Sequence, residues 1–279
     1  MTKPILVLGG NGTVGNPLVQ ALLAKGAAVR VGSRSANAPE GTSGVAFDYA
    51  KPETFDPAFA GVQAAYVLMP AGHTDVFTLL KPVIETAAAK GVKVVLQTAI
   101  GVNASDEIPY RQAELLLEKA GIPYVILRPN WFADNFRTFW LPGVQGGTIA
   151  LPAGTGKTSF IDARDIAAAA AEALTSSAHD GNAFDLTGPE ALDHDAVAAL
   201  IAALRGKPVS YQAIEDEAFI NTLTSVGVSQ DYAAFLALIY GPVRDGHTAA
   251  VTDAVERLTG AKPRSFQQHL TDYAAAYRS

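Results

Sequence analysis

The sequence predicts an α/β fold: a doubly wound parallel sheet, then a smaller, mainly helical C-terminal region. Three observations predict it. Six short apolar runs have the length of strands buried on both faces, helix-periodic segments separate most of them, and a glycine cluster sits at the first strand-to-helix junction.

The runs are residues 5–8, 28–31, 45–47, 64–68, 92–97 and 124–127. Val14, Leu18 and Leu22 recur every four residues, and 75–90 and 109–120 are similarly helical, with Gly26, Gly91 and Gly121 closing the three segments. Pro17 falls in a first turn, where its missing N–H costs nothing. Regular alternation of this kind winds right-handed, with helices on both faces of the sheet. Residues 1 to about 150 are read as that unit.

After "LPGVQGGTIALPAGTGKTS", rich in glycine and proline, the strand rhythm thins out. "FIDARDIAAAAAEAL" reads as a short strand and then an alanine-rich helix begun by Asp162 or Asp165; "GNAFDLTG" and "KPVSYQAI" read as strands, and 193–204 and most of 216–278 as helix. Residues 151–279 therefore form a second region, folded partly back on the first.

Of 279 residues, 49% are apolar and 17% charged, enough for a substantial core. A net charge of -6 with scattered Lys and Arg argues against a nucleic-acid partner. Without cysteine there is no disulfide, thiolate ligand or cysteine nucleophile. The first ten residues lack a signal peptide's apolar core, and no run of roughly 18 apolar residues exists, so a cytoplasmic protein without a membrane span is expected.

"GGNGTVG" spells GxxGxxG from Gly9 to Gly15, between a strand and a helix. A tight turn needs positive φ, a closely approaching pyrophosphate needs a missing Cβ, and helix-on-strand packing needs another. A packing turn is the other reading of such glycines; at the first βα junction of a doubly wound sheet they point to a dinucleotide held by Gly9, Asn11, Gly12, Thr13 and Val14. The second strand ends in "VRVGSRS", with no acid to bind a ribose 2′-hydroxyl. Ser33 and Arg34 stand where a 2′-phosphate would lie, which favours NADPH; the bland alternative is a solvated surface arginine.

With "GGNGTVG" and Arg34, the segments "VAFDYAKPETFDPAFAGV", "AAYVLMPAGH", "AGIPYVILRPNWFADNF", "DARDIA" and "FDLTGPEAL" resemble the NmrA-like branch of the atypical short-chain dehydrogenases over nearly the whole chain. That branch holds triphenylmethane reductases, azoreductases and a kind of quinone oxidoreductase. The resemblance implies a Rossmann-type NADP-binding domain over 1–150 and a substrate-capping region over 151–279. It also implies Asp48 and Tyr49 near the adenine, and Met69, Pro70, Ala71 and Thr98 on the nicotinamide side.

Typical short-chain dehydrogenases carry a Tyr-x-x-x-Lys acid pair on the helix before the "LRP" strand. Here those positions hold Asp106 and Tyr110, and Glu114, four residues on, would raise a tyrosine pKa rather than lower it. An alcohol dehydrogenase or sugar epimerase is disfavoured. An electron-poor acceptor taking hydride directly fits, with His73 and Tyr110 as the catalytic candidates.

Trp131, Phe132, Phe136, Phe139 and Trp140 follow the sixth strand, where ligands of open α/β sheets bind. They read equally as a surface for a flat aromatic substrate, with His73, Asn130, Trp131 and Phe136 touching it, or as core. "GTGKT" at 154–158 lacks the first glycine of a triphosphate loop, "DHD" at 193–195 reads as a helix start, and no metal site or GxSxG elbow is expected. The sequence thus predicts an NADPH-dependent reductase of azo, quinone or triphenylmethane-type small molecules, working as a monomer or homodimer. The alternative is a non-catalytic NADP(H)-sensing regulator.

Overall fold

The computed structural model describes residues 3–278, and these gather into two compact units that interleave along the chain. One holds the chain up to Pro129 with Ala163–Leu186 and Ala254–Ala261; the other holds Asn130–Asp162, Thr187–Asp253 and the chain from Lys262 onward.

The strands are β1 (Ile5–Leu8), β2 (Val29–Ser33), β3 (Ser43–Ala46), β4 (Ala64–Leu68), β5 (Lys93–Gln97), β6 (Tyr124–Pro129), β7 (Thr148–Leu151), β8 (Asn182–Leu186) and β9 (Ser210–Ala213). In the first unit seven of them form one parallel sheet, ordered β3-β2-β1-β4-β5-β6-β8. β1 is an inner strand: Ile5 pairs with Val29 on one side and with Ala64 on the other, and the strand order reverses between β1 and β4. Ligands of such sheets bind outside the carboxyl ends at that reversal.

Connections run through α1 (Gly15–Ala24), α2 (Phe55–Phe59), α3 (Val76–Ala89) and α4 (Pro109–Glu118). No residue of β1 is more than 1% exposed, as the apolar run demands of a strand covered on both faces. Leu6, Leu8, Val67, Val94, Leu96 and Ile126 pack with Phe55, Phe59, Leu80, Ile84 and Leu117. Each buried large side chain contributes about 1.5–3 kcal/mol of transfer free energy.

The helices then continue with α5 (Leu141–Gly146), α6 (Ala163–Thr175) and α7 (His194–Arg205). α6 is the alanine-rich helix, and its small buried residues let it lie closely against α1, where Lys25 pairs with Glu172 at 2.6 Å. The strand expected just before it shrinks to a single bridge between Phe132 and Ile161. β8, the "GNAFDLTG" strand, joins the main sheet beside β6.

In the second unit β7 pairs in parallel with β9. β7 lies inside the glycine- and proline-rich stretch in which no strand was expected, yet its alternation (Ile149 and Leu151 buried, Thr148 and Ala150 exposed) is that of a half-buried strand. The "GTGKT" turn is a packing loop: a Cβ on Gly156 would collide with the backbone of Val243. α12 (Phe266–Asp272) and α13 (Ala274–Arg278) follow α8 (Asp216–Ser225), α9 (Gln230–Leu238), α10 (Gly241–Arg244) and α11 (Ala254–Thr259). α12 and α13 supply His269 and Tyr277 to a buried clasp, in which His269 Nδ1 meets Asp162 Oδ2 at 2.8 Å and Nε2 meets the Tyr277 hydroxyl at 3.1 Å. Asp134, itself bonded by Arg137, completes a cluster of three possible ligand residues that spacing along the chain did not reveal.

"DHD" does start a helix: Asp193 Oδ1 accepts the Ala196 amide at 2.8 Å. His194 behind it is 2% exposed among Phe136, Phe160 and Tyr211, and neither ring nitrogen has a hydrogen-bond partner among the described residues. Burial holds its imidazole down at about 4, against the pull of Asp193. Between pH 6.5 and 4 the unfolded chain therefore binds a proton that the folded chain refuses, and stability falls as pH drops through that window. The expected loss is about 3 kcal/mol across it, and His194→Leu should flatten the decline. Melting curves that steepen equally in both proteins between those pH values would exclude His194 as the cause.

Candidate active site

The glycine loop is built as the sequence requires, though each glycine has its own reason. Gly9 takes φ +70, and its carbonyl accepts the Gly12 amide at 2.9 Å, closing the turn. Gly10 is buried against Val31 and Val19, while a Cβ on Gly15 would run into the Gly9 carbonyl. Gly12 is exposed and its missing Cβ leaves a face clear of everything but Gly9 O at 3.2 Å.

The amides of Asn11, Thr13 and Val14 donate no backbone hydrogen bond among the described residues. α1 begins at Gly15 with no side-chain cap and no acid in its first turn. Three orphan donors on the positive end of a helix, beside a glycine without a side chain, suit an anion and fit a dinucleotide pyrophosphate. Asn11, Gly12 and Thr13 are exposed, and Val14 is buried.

The segment after β2 is tied to this loop. Asn11 Nδ2 donates to Asn37 O at 3.2 Å, and Ser33 Oγ donates to the same carbonyl at 3.1 Å. Between them Arg34 is exposed, with no hydrogen bond or ion pair to another described residue. Asn37 escaped sequence reading because nothing in its neighbourhood marks a main-chain acceptor.

Asp48 Oδ1 accepts the Ala50 amide at 3.0 Å and so shapes the chain after β3. The Tyr49 hydroxyl donates to Leu68 O at the end of β4, and burial pushes the phenol well above its ordinary value. Met69 is buried and Pro70 half-buried, whereas His73 stands in the exposed stretch 71–75 before α3. Tyr110, in the first turn of α4, packs with Tyr49 against the core of the sheet.

Thr98 directly follows β5, its amide donating to Leu127 O at 2.9 Å. Its hydroxyl is spent on Glu114 Oε1 at 2.7 Å. Glu114 is 0% exposed, and its carboxylate is engaged by cations as well. Arg128 grips it with two bonds, Nε to Oε1 at 2.9 Å and Nη2 to Oε2 at 2.6 Å, and Arg111 adds a third at 2.9 Å. Burial alone would raise the carboxyl; the bonds from Arg128, Thr98 and Arg111 hold it below the usual carboxylate range. The signal was present in the sequence, since an arginine inside a strand covered on both faces requires a buried anion.

The remaining candidates belong to the second unit. Asn130 is 2% exposed and fully committed: Nδ2 donates to Ser159 Oγ and Thr248 O, each at 2.8 Å, and Oδ1 accepts the Trp131 amide at 2.9 Å. It has no donor left for a substrate, so its expected substrate contact is replaced by a structural one. Phe136 is 0% exposed and meets Trp140, Phe160 and Phe266 edge-on, which makes it core as well. Trp131 is half-buried and stacks on Tyr240 with ring centres 4.7 Å apart.

An NAD(P)H-binding family model matches residues 9–177. The NAD(P)H azoreductase of Xenophilus azovorans is 33% identical over 285 residues, spanning 98% of this chain and 99% of its own. Citrobacter sp. triphenylmethane reductase, complexed with NADP(H), is similar in structure with a TM-score of 0.82 at 24% identity, covering 96% of this chain and 99% of that one. The NADPH-dependent quinone oxidoreductase of Escherichia coli, complexed with NADPH, gives 0.83 at 23% identity over 96% and 99%. These two likenesses show the shared fold. No helix among the described residues is long and apolar enough to cross a membrane.

Proposed function

The chain belongs to the NAD(P)H-binding family, in its NmrA-like branch of atypical short-chain dehydrogenases, and from that premise we propose that it reduces electron-poor aromatic acceptors, azo compounds, quinones or triphenylmethane dyes, with NADPH. The observation that carries the cofactor half is the exposed loop of orphan amides at the start of α1, with Arg34 beside it. The acceptor classes come from the names of the relatives.

NADPH, when bound, supplies the hydride. The chain's own part is positional. Asn11, Thr13 and Val14 offer amides to the pyrophosphate, and Arg34, with Ser33, offers a fork of donors to the 2′-phosphate. Asp106 and Tyr110 stand where a Tyr-x-x-x-Lys pair would place its phenol and its lysine, so no lysine-activated tyrosine stands at those positions. An acceptor that needs no proton in the hydride step suits such a site, and rate is gained mainly by holding ring against ring. His73, exposed and without a partner among the described residues, is the group proposed to meet the acceptor's polar edge.

Acceptor-dependent NADPH oxidation with at least one azo dye, quinone or triphenylmethane dye is the expected result. Tight NADP(H) binding without turnover across the panel would replace this reading with the NADP(H) sensor. Arg34→Ala should raise the KM for NADPH roughly 10- to 100-fold and leave that for NADH nearly unchanged, the size expected for charge-assisted bonds to one phosphate. Equal losses for the two nucleotides would remove the 2′-phosphate assignment.

A further inference from the structure

One carboxylate in the sheet unit collects more bonds than the proposed reaction has used. Glu114, on α4, accepts from Arg128 on β6, from Arg111 one turn back on its own helix, and from Thr98 beyond the end of β5. Arg128 in turn reaches toward Asp185 on β8, with Nη1 3.7 Å from Oδ1. The cluster therefore fastens the carboxyl ends of β5, β6 and β8 to one helix.

A buried ion pair is an expensive fastener, since well-packed apolar residues hold elements together as well or better. Its distinctive effect is directional. The Thr98 hydroxyl has one proton, and that proton points at Glu114 Oε1. Toward any other group Thr98 Oγ1 has only lone pairs to offer.

Strand order says what would meet those lone pairs. A dinucleotide straddles the reversal between β1 and β4, one half over β1, β2 and β3 and the other over β4, β5 and β6. With the pyrophosphate on the glycine loop and the 2′-phosphate beside Arg34 after β2, the nicotinamide half falls on the side of Thr98. That half carries ribose hydroxyls and a carboxamide N–H₂, all of them donors.

We propose that Glu114 is a positioning residue for the nicotinamide half of the cofactor, acting by fixing Thr98 Oγ1 as a hydrogen-bond acceptor at the end of β5. The inference rests on the cofactor reading given above. Glu114 touches neither cofactor nor acceptor, and glutamine in its place keeps the size but presents an N–H₂ that can donate to Thr98, turning the hydroxyl round.

The test compares two probes on the full chain by equilibrium titration: NADPH, and adenosine 2′,5′-bisphosphate, which lacks the nicotinamide half. Glu114→Gln should weaken NADPH roughly tenfold and the bisphosphate by less than about twofold, the effect expected of one misdirected hydrogen bond. Thr98→Val should reproduce that pattern, and the double variant should lose no more than either single one. NADPH binding unchanged in Glu114→Gln overturns the proposal, as does equal weakening of both probes, which would mean a general disturbance. If Glu114→Gln does not fold, Thr98→Val decides on the same two criteria. A native chain indifferent to both probes would instead sink the cofactor reading itself.

Discussion

Gly15→Ala is expected to weaken NADPH binding by 100-fold or more while the sheet unit stays folded. The added Cβ would lie 2.7 Å from the Gly9 carbonyl carbon and 2.8 Å from Gly10 Cα, and closer still to the Gly9 oxygen. These are backbone atoms of a closed turn, so no rotamer change relieves the clash and the loop itself must move. Overpacking of this kind costs roughly 1–3 kcal/mol in stability. The larger loss is functional: moving the loop misaligns the amides of Asn11, Thr13 and Val14 together, and two such bonds to a charged group at about 1.5–3 kcal/mol each account for the 100-fold. Gly12→Ala is the informative companion. Its Cβ meets only Gly9 O, at 3.2 Å, so thermal stability should remain near that of the native chain. Any loss of NADPH affinity in that variant reports ligand approaching the empty face. A Gly15→Ala chain that binds NADPH within about threefold of the native one would show that the loop does not hold the pyrophosphate.

How far the sequence could be read followed how local the cause was. β4 could be read because Ala64–Leu68 is an apolar run that begins after Gln63 and is stopped by Pro70 shortly past its end, and β1 because glycine stops it. α7 could be read from Asp193 before it and Gly206 after it. β7 was hidden by the glycines and prolines around it, although Ile149 and Leu151 carry the alternation. β8 was legible as a strand, but its place beside β6 depends on pairing across the sheet, which no local pattern records. Side-chain duties were less legible still. Phe136 and Trp131 lie in one short stretch of sequence, yet one is core and the other half-exposed, and composition is blind to that difference. Asn130 beside a ligand-binding edge reads as a polar contact until Ser159 and Thr248, distant in sequence, claim its amide. The glycine loop is the opposite case, because there the function is carried by backbone and the absence of side chains is visible in the sequence itself.

Arg128→Leu should be the most destabilising substitution in the sheet unit. Removing the guanidinium takes two of the four bonds from Glu114 and leaves a 0% exposed carboxylate to Thr98 and Arg111 alone. Breaking a buried pair from one side costs about 3–5 kcal/mol, because the surviving charge keeps its desolvation penalty. For a chain of this size that is a fall of roughly 10 °C in melting temperature. Removing Glu114 as well, as Glu114→Met in the Arg128→Leu background, should restore much of the loss, since two apolar side chains of similar volume need no partner. The pH dependence separates this account from simple loss of packing. In the native chain the Glu114 carboxyl is held below its ordinary value, so its contribution is present at neutral pH and disappears as pH falls through that lowered value. In Arg128→Leu the carboxyl loses its main counter-charge and takes up a proton at higher pH, which relieves the buried charge. The gap in stability between the two proteins should therefore narrow as pH is lowered from 7 toward about 4.5, near the ordinary carboxylate range. A gap that stays constant over that range, with no rescue in the double variant, would mean that Arg128 holds the strands by the bulk of its side chain and that its charge is incidental.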